Sequence, residues 1–233
     1  MPNKFIREIN METQKFSMGK AIEFGWNITK NNLGFFIVLL IIAGLILIIP
    51  ETLSQLTRQN APGLSIILRI AFFVLQMVIG MGLIKITLRF CDNEKAEFSD
   101  LFCCLHLFFK YLLGSILYGL IVSAGTILLI IPGIIWAIKF YFFGYLIVDK
   151  GLGPIEALKR SSAITDGSKW DLFLLGLLLF GINLIGAIPF LLGWFITIPI
   201  TMVTMAFVYR RLLHETEVPK TDTTQISGAP INP

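Results

Sequence analysis

Lys139 stands inside an apolar stretch running from Tyr111 to Val148, and the chemistry open to it depends on what shares its depth. Counted at about 1.5 Å per residue from Gly133, it lies roughly 9 Å inside the stretch. Thr126 precedes Pro132, and Asn183 precedes Pro189, by a similar distance, while Arg69 and Thr197 sit comparably deep in neighbouring apolar runs. With the prolines marking one level, these five residues form a polar layer holding two cations and no anion. A desolvated cation without an acidic partner seeks an anionic ligand, so the layer reads as an anion site suited to a lipid phosphate. The plainer reading has Arg69 and Lys139 snorkelling to headgroups while Asn183 and the threonines bond to adjoining helices, which is the commoner behaviour.

Other chemistry is scarce. All fifteen acidic residues fall outside the apolar runs or at their edges, the nearest being Glu51, Asp149 and Asp171. Proton-coupled carriers and carboxylate metal sites need an acid at depth to bind a proton or cation. The two histidines, His106 and His214, lie in a surface segment and near the C-terminus, where they supply no relay within a membrane. Cys91 and Cys103-Cys104 lack the paired C-x-x-C spacing of a zinc site and read as small apolar residues. Gly151-Leu152-Gly153-Pro154 has neither the preceding strand nor the Gly-Lys-Ser/Thr ending of a phosphate loop, and Ser161 and Ser162 have no histidine nearby. The expectation is a protein that is not an enzyme, with no cofactor and no metal.

The elements that must position Lys139 follow from composition. Hydrophobic residues are 55% of the chain and charged residues 15%, with a mean hydropathy of +0.79, a balance that calls for lipid. The apolar runs are Leu33 to Pro50, Leu64 to Leu88, Tyr111 to Val148 and Leu172 to Tyr209. Against about 20 residues per crossing, the last two each supply two spans. The predicted fold is all-α: an integral membrane protein of six transmembrane helices in three hairpins, reversing at Pro50, Pro132 and Pro189, each hairpin preceded by an interfacial amphipathic helix. The units cover about 16–90, 97–149 and 154–213 within a single membrane domain, 16–213. Residues 1–15 read as a flexible segment and 214–233, rich in threonine and proline, as a disordered tail.

Lysine and arginine set the orientation. They crowd the segment before the first span, the connections after spans two and four, and the segment after Tyr209, while the three opposite loops hold only Arg58. The positive-inside bias makes both termini and all three amphipathic helices cytoplasmic. The net charge of +4 is a topological signal and calls for no nucleic acid. The first apolar run begins too late and runs too long for a cleaved leader, so it is expected to remain as span one.

Stepping about 100° per residue sorts the amphipathic segments into faces. In 16–30, Met18, Ala21, Ile22, Phe24, Trp26 and Ile28 oppose Lys20, Glu23, Asn27 and Lys30. The middle copy gathers Phe98, Leu101, Phe102, Leu105, Phe108 and Phe109. In 154–167, Ile155, Ala157, Leu158 and Ile164 share a side with Ser161, Ser162 and Thr165, while Glu156, Lys159 and Arg160 lie opposite. Such helices either anchor the hairpins in anionic headgroups or present a platform to a cytoplasmic protein partner. Sequence leaves both open.

The stretch Pro132-Gly133 through Lys139 and Tyr145 to Ser161, then Thr165 to Trp170, resembles a bacterial polytopic membrane family of unknown function. That family includes the membrane domain attached to some glycerophosphoryl diester phosphodiesterases. The resemblance is densest over about forty residues and extends through the helix-hairpin plan over most of the chain. It implies that the Lys139 position carries a cation, commonly arginine. Where the family commonly has an acid after Asp149 and an aromatic after Ser161, this chain has Lys150 and Ser162. The soluble catalytic domain has no counterpart here, so phosphodiesterase activity is not implied.

Function is then expected to be that of an accessory or scaffold protein of the bacterial cell envelope, multi-pass in the cell membrane and in contact with anionic lipid. The alternative is a transporter or lipid-handling protein built on the Lys139 layer.

Overall fold

In the computed structural model, the described residues are 15–57, 61–188 and 192–217. They are helical nearly throughout, and no strand occurs among them. The helices are α1 (Met18–Asn31), α2 (Leu33–Thr57), α3 (Pro62–Cys91), α4 (Phe108–Leu128) and α5 (Ile130–Phe140). There follow α6 (Phe143–Lys150), α7 (Pro154–Ile164), α8 (Lys169–Ala187) and α9 (Trp194–Glu217). Six segments are long and apolar enough to cross a membrane: α2, α3, the stretch Phe98–Leu128 ending in α4, α5 with α6, α8 and α9. That inventory is the signature of a multi-pass membrane protein.

Neighbours in sequence pack together: α2 on α3, α4 on α5 and α6, and α8 on α9. Tyr111 and Gly114 meet α6 at Gly144, Phe143 and Ile147, and Thr126 meets α5 at Gly133. The polypeptide turns between α4 and α5 at Leu129, whose backbone is extended.

Pro132 is therefore within the first turn of α5, where its missing N–H costs no helical bond, and it does not make the reversal. Pro50 likewise lies within α2, which continues to Thr57. Pro189 and Arg58 are outside the described residues, as are 1–14 and 218–233. Helix α9 runs through Pro199 to Glu217, so the first residues of the expected tail are helical.

The middle amphipathic helix is replaced by two 3₁₀ turns, Phe98–Leu101 and Leu105–Leu107. Tertiary contacts override the periodicity here. The Asp100 carboxylate accepts from the Glu97 N–H and from Arg89 Nη1, both at 2.8 Å, which ties the turn to the end of α3. Leu101 lies directly on Gly82, where a Cβ would collide with its backbone.

Helix α1 packs largely by the side expected of it: Met18, Ile22, Phe24 and Ile28 lie partly buried against the two cores, while Lys20, Glu23, Asn27 and Lys30 are exposed. Ala21, Gly25 and Thr29 are buried, while Trp26 is exposed. Gly25 lies against Ile200 and Thr204, the Phe24 ring stacks on Phe207 with centroids 4.7 Å apart, and Lys20 shares a cleft with Arg211. The order of these contacts makes α1 antiparallel to α9. Small residues at i, i+4 and i+8 permit that close approach.

The main core collects α6, one face of α7, and the part of α9 from Met205 to Leu213. A second cluster joins Phe36, Leu39 and Ala43 of α2 to Ile79, Ile86 and Val203. At the opposite end, apolar side chains face outward: Ile127 is 86% exposed and Ile188 78%. Burial is thus densest at the first end, although Phe109 at 74% and Trp170 at 77% are exposed beside the core.

Candidate functional site

Helices α5 and α6 are one interrupted helix, and the break lies at Tyr141 and Phe142, just past Lys139. A break frees a carbonyl and an N–H that would otherwise pair along the helix. Ser161 of α7 serves both: its Oγ accepts from the Phe142 N–H and donates to the Lys139 carbonyl, each at 3.1 Å. Thr165 donates to the same carbonyl at 3.1 Å. This explains the small polar residues on the apolar face of α7. That signal was present in the sequence, although its role required the break to be known.

The Lys139 ammonium lies 5.5 Å from the centre of the Phe140 ring and has no acidic partner among the described residues. The side chain is half-buried. Nearby, Lys169 Nζ donates to Asp166 Oδ1 at 3.0 Å, and Lys15 Nζ donates to the Asp166 carbonyl at 2.5 Å. The Lys169 ammonium holds the exposed Asp166 carboxyl below its ordinary range, first by the hydrogen bond and then by charge.

The five residues expected to form one layer do not assemble. Asn183 and Thr197 are brought together: Asn183 Nδ2 donates to Thr201 Oγ1 at 2.6 Å, and Thr201 donates to the Thr197 carbonyl at 2.9 Å. Trp194 Nε1 adds a bond to the Asn183 carbonyl at 3.1 Å. These contacts join α8 to α9. Thr126 donates back to the Val122 carbonyl at 2.9 Å, and Arg69 is exposed on α3 with no partner among the described residues.

Lys139 lies elsewhere: its carbonyl is held by Thr165, four residues before the start of α8 at Lys169. Ile131 and Ile135 line the same groove as Lys169 and Trp170, at the start of α8. From Lys169 to Asn183 the helix rises about 20 Å.

A charged hub gathers where α3, α6 and α9 meet. Arg210 donates from Nη1 to Asp149 at 2.8 Å and from Nη2 to Asp92 at 2.5 Å, and Tyr209 donates to Asp149 at 2.9 Å. A cleft of about 640 Å³ opens beside it, reaching Cys91, His214 and Glu217. Arg210 engages both aspartates, so their chemistry is that of an ion-pair lock. Sequence placed Asp149 and Arg210 at span ends without showing that they meet.

On α7, Glu156 and Lys159 are exposed, and Arg160 pairs with Glu217 of α9 at 3.2 Å.

These features fall largely within one comparison with known proteins. Residues 121–216 match the family described as Protein of unknown function (DUF975). The matched segment spans the end of α4 through nearly all of α9, so it contains Lys139, Ser161, Thr165, Asp149 and Arg210. An uncharacterized protein of Mycobacterium bovis is 23% identical, the alignment covering 87% of this chain and 70% of the relative. An uncharacterized protein of Mycobacterium tuberculosis matches with the same values. No solved structure matches. None of these descriptions refers to a glycerophosphoryl diester phosphodiesterase membrane domain, so that link is withdrawn. The similarity is to the DUF975 segment.

Proposed function

We propose that this chain is a multi-pass protein of the bacterial cell membrane, with α7 and both ends of the chain cytoplasmic, and that it works as a non-enzymatic accessory or scaffold protein. The positive-inside distribution of lysine and arginine supports the orientation.

One observation favours a platform over a lipid anchor. An interfacial anchor must offer its apolar face to the bilayer. Helix α7 spends Ala157, Leu158, Ser161 and Ile164 on the bundle and leaves Glu156 and Lys159 exposed. Its free surface carries the charges of Glu156 and Lys159 beside the single large apolar side chain of Ile155, and is suited to a soluble protein carrying complementary charge.

The reading is tested with a photo-crosslinking amino acid at Lys159 in living bacteria. The expected result is one reproducible protein adduct that disappears with Glu156→Lys. Adducts to lipid alone, or no protein adduct, would overturn the scaffold role.

A further inference from the structure

Two apolar grooves run side by side where α5 crosses α8. One has a volume of about 550 Å³ and extends past Gly176 and Phe180 to Asn183 and Thr201. The other, of about 370 Å³, has Lys169 and Trp170 at one end. Ile134, Ile138 and Phe173 line both and form the ridge between them. From Lys169 to Phe180 the helix rises about 16 Å, close to half of the roughly 30 Å hydrocarbon core and so to the depth of one leaflet.

Charge marks one end of this pair of grooves. Ile131 and Ile135 line the smaller groove, and Lys139 is the next residue of that stripe at i+4. Its ammonium lacks an acidic partner among the described residues, and its carbonyl is bonded by Thr165, four residues before Lys169, whose own ammonium is paired with Asp166. Trp170, 77% exposed beside them, is the residue type that settles at the level of headgroups. A paired apolar channel with unneutralised positive charge at its mouth is complementary to a two-chain amphiphile with an acidic head.

We propose that the α5–α8 groove holds one diacyl glycerophospholipid with an anionic headgroup, its chains on either side of the Ile134–Ile138 ridge and its phosphate at Lys139. This rests on the membrane location proposed above and is independent of the scaffold role.

The test uses the full chain in detergent with equal amounts of palmitoyl-oleoyl phosphatidylglycerol and phosphatidylcholine, read by native mass spectrometry. Wild type retains phosphatidylglycerol in preference, Lys139→Met lowers that preference about fivefold, and Lys139→Arg restores it. Gly176→Phe projects into the larger groove, where a Cβ meets open space, and lowers retention of both lipids. Equal retention of the two lipids by wild type, or wild-type behaviour of either Lys139→Met or Gly176→Phe, would overturn the proposal. The crosslinking at Lys159 is a separate readout, so failure of one proposal leaves the other standing.

Discussion

The Ser161 hydroxyl donates to the backbone carbonyl of Lys139 at 3.1 Å while accepting the N–H of Phe142 at the same distance. A single buried side chain therefore closes the interruption between α5 and α6. Ser161→Ala leaves that N–H without its partner, and the expected loss is about 1–3 kcal/mol. Thr165 still reaches the carbonyl, so the N–H accounts for most of it. Thermal unfolding of the purified protein checks the magnitude, and Ser161→Thr should fall between the two.

Arg210 neutralises two aspartates from different helices. Asp149 has a side chain 9% exposed against 26% for Arg210, so Arg210→Met leaves a buried carboxylate with only the Tyr209 hydroxyl at 2.9 Å and the Lys150 ammonium at 3.9 Å. Because the arginine is partly solvated, the expected loss is about 2 kcal/mol, below the 3–5 seen for fully buried pairs. Adding Asp149→Asn should recover part of it. A double-mutant cycle on melting midpoints tests for that coupling, and strict additivity would refute the hub.

Close approach of α1 to α9 requires Gly25. A Cβ there would overlap Thr204 and the Ile200 carbonyl, so Gly25→Val should destabilise by about 1–3 kcal/mol through displacement of α1. Gly19→Val meets open space and should be neutral or stabilising by a few tenths of a kcal/mol, because valine has the higher helix propensity. Protection of the early chain from limited proteolysis distinguishes the two variants.

Asp166 titrates below the ordinary carboxylate value because Lys169 donates to it. A depressed folded value contributes stability above the unfolded pKa of about 3.9, lost as pH falls through the folded one. Lys169→Met should move the Asp166 titration upward, visible by carboxyl carbon NMR of the labelled protein. An unmoved titration would remove Lys169 as the cause.

How far the sequence reached is clearest in pairs of residues. The six long apolar helices were legible because hydropathy over about 20 residues does not depend on partners. The middle amphipathic segment was misread because Asp100 and Arg89, distant in sequence, fix a 3₁₀ turn where periodicity favoured a helix. The polar layer did not assemble because the Lys139 carbonyl is held by Thr165 near the start of α8, while Asn183 lies about 20 Å further along that helix. Helix α1 and most of its packing side were legible, Trp26 excepted, but the closest contacts, at Gly25 and Thr29, were not. In an apolar surrounding large side chains need no burial, and small ones determine where helices touch. The Asp149–Arg210 contact joins span ends that no local pattern connects.

The separation between the packed end and the exposed apolar end means that the two ends obey different solvents. Around Arg210 and Ser161 the fold is held by its own bonds, and detergent chain length should matter little there. Around Ile127 and Ile188 the contacts missing from the protein must be supplied by whatever surrounds it. A thinner bilayer or a shorter detergent therefore acts selectively on the helix tips. The protein is a bundle fastened at one end, whose other end takes its tension from the lipid.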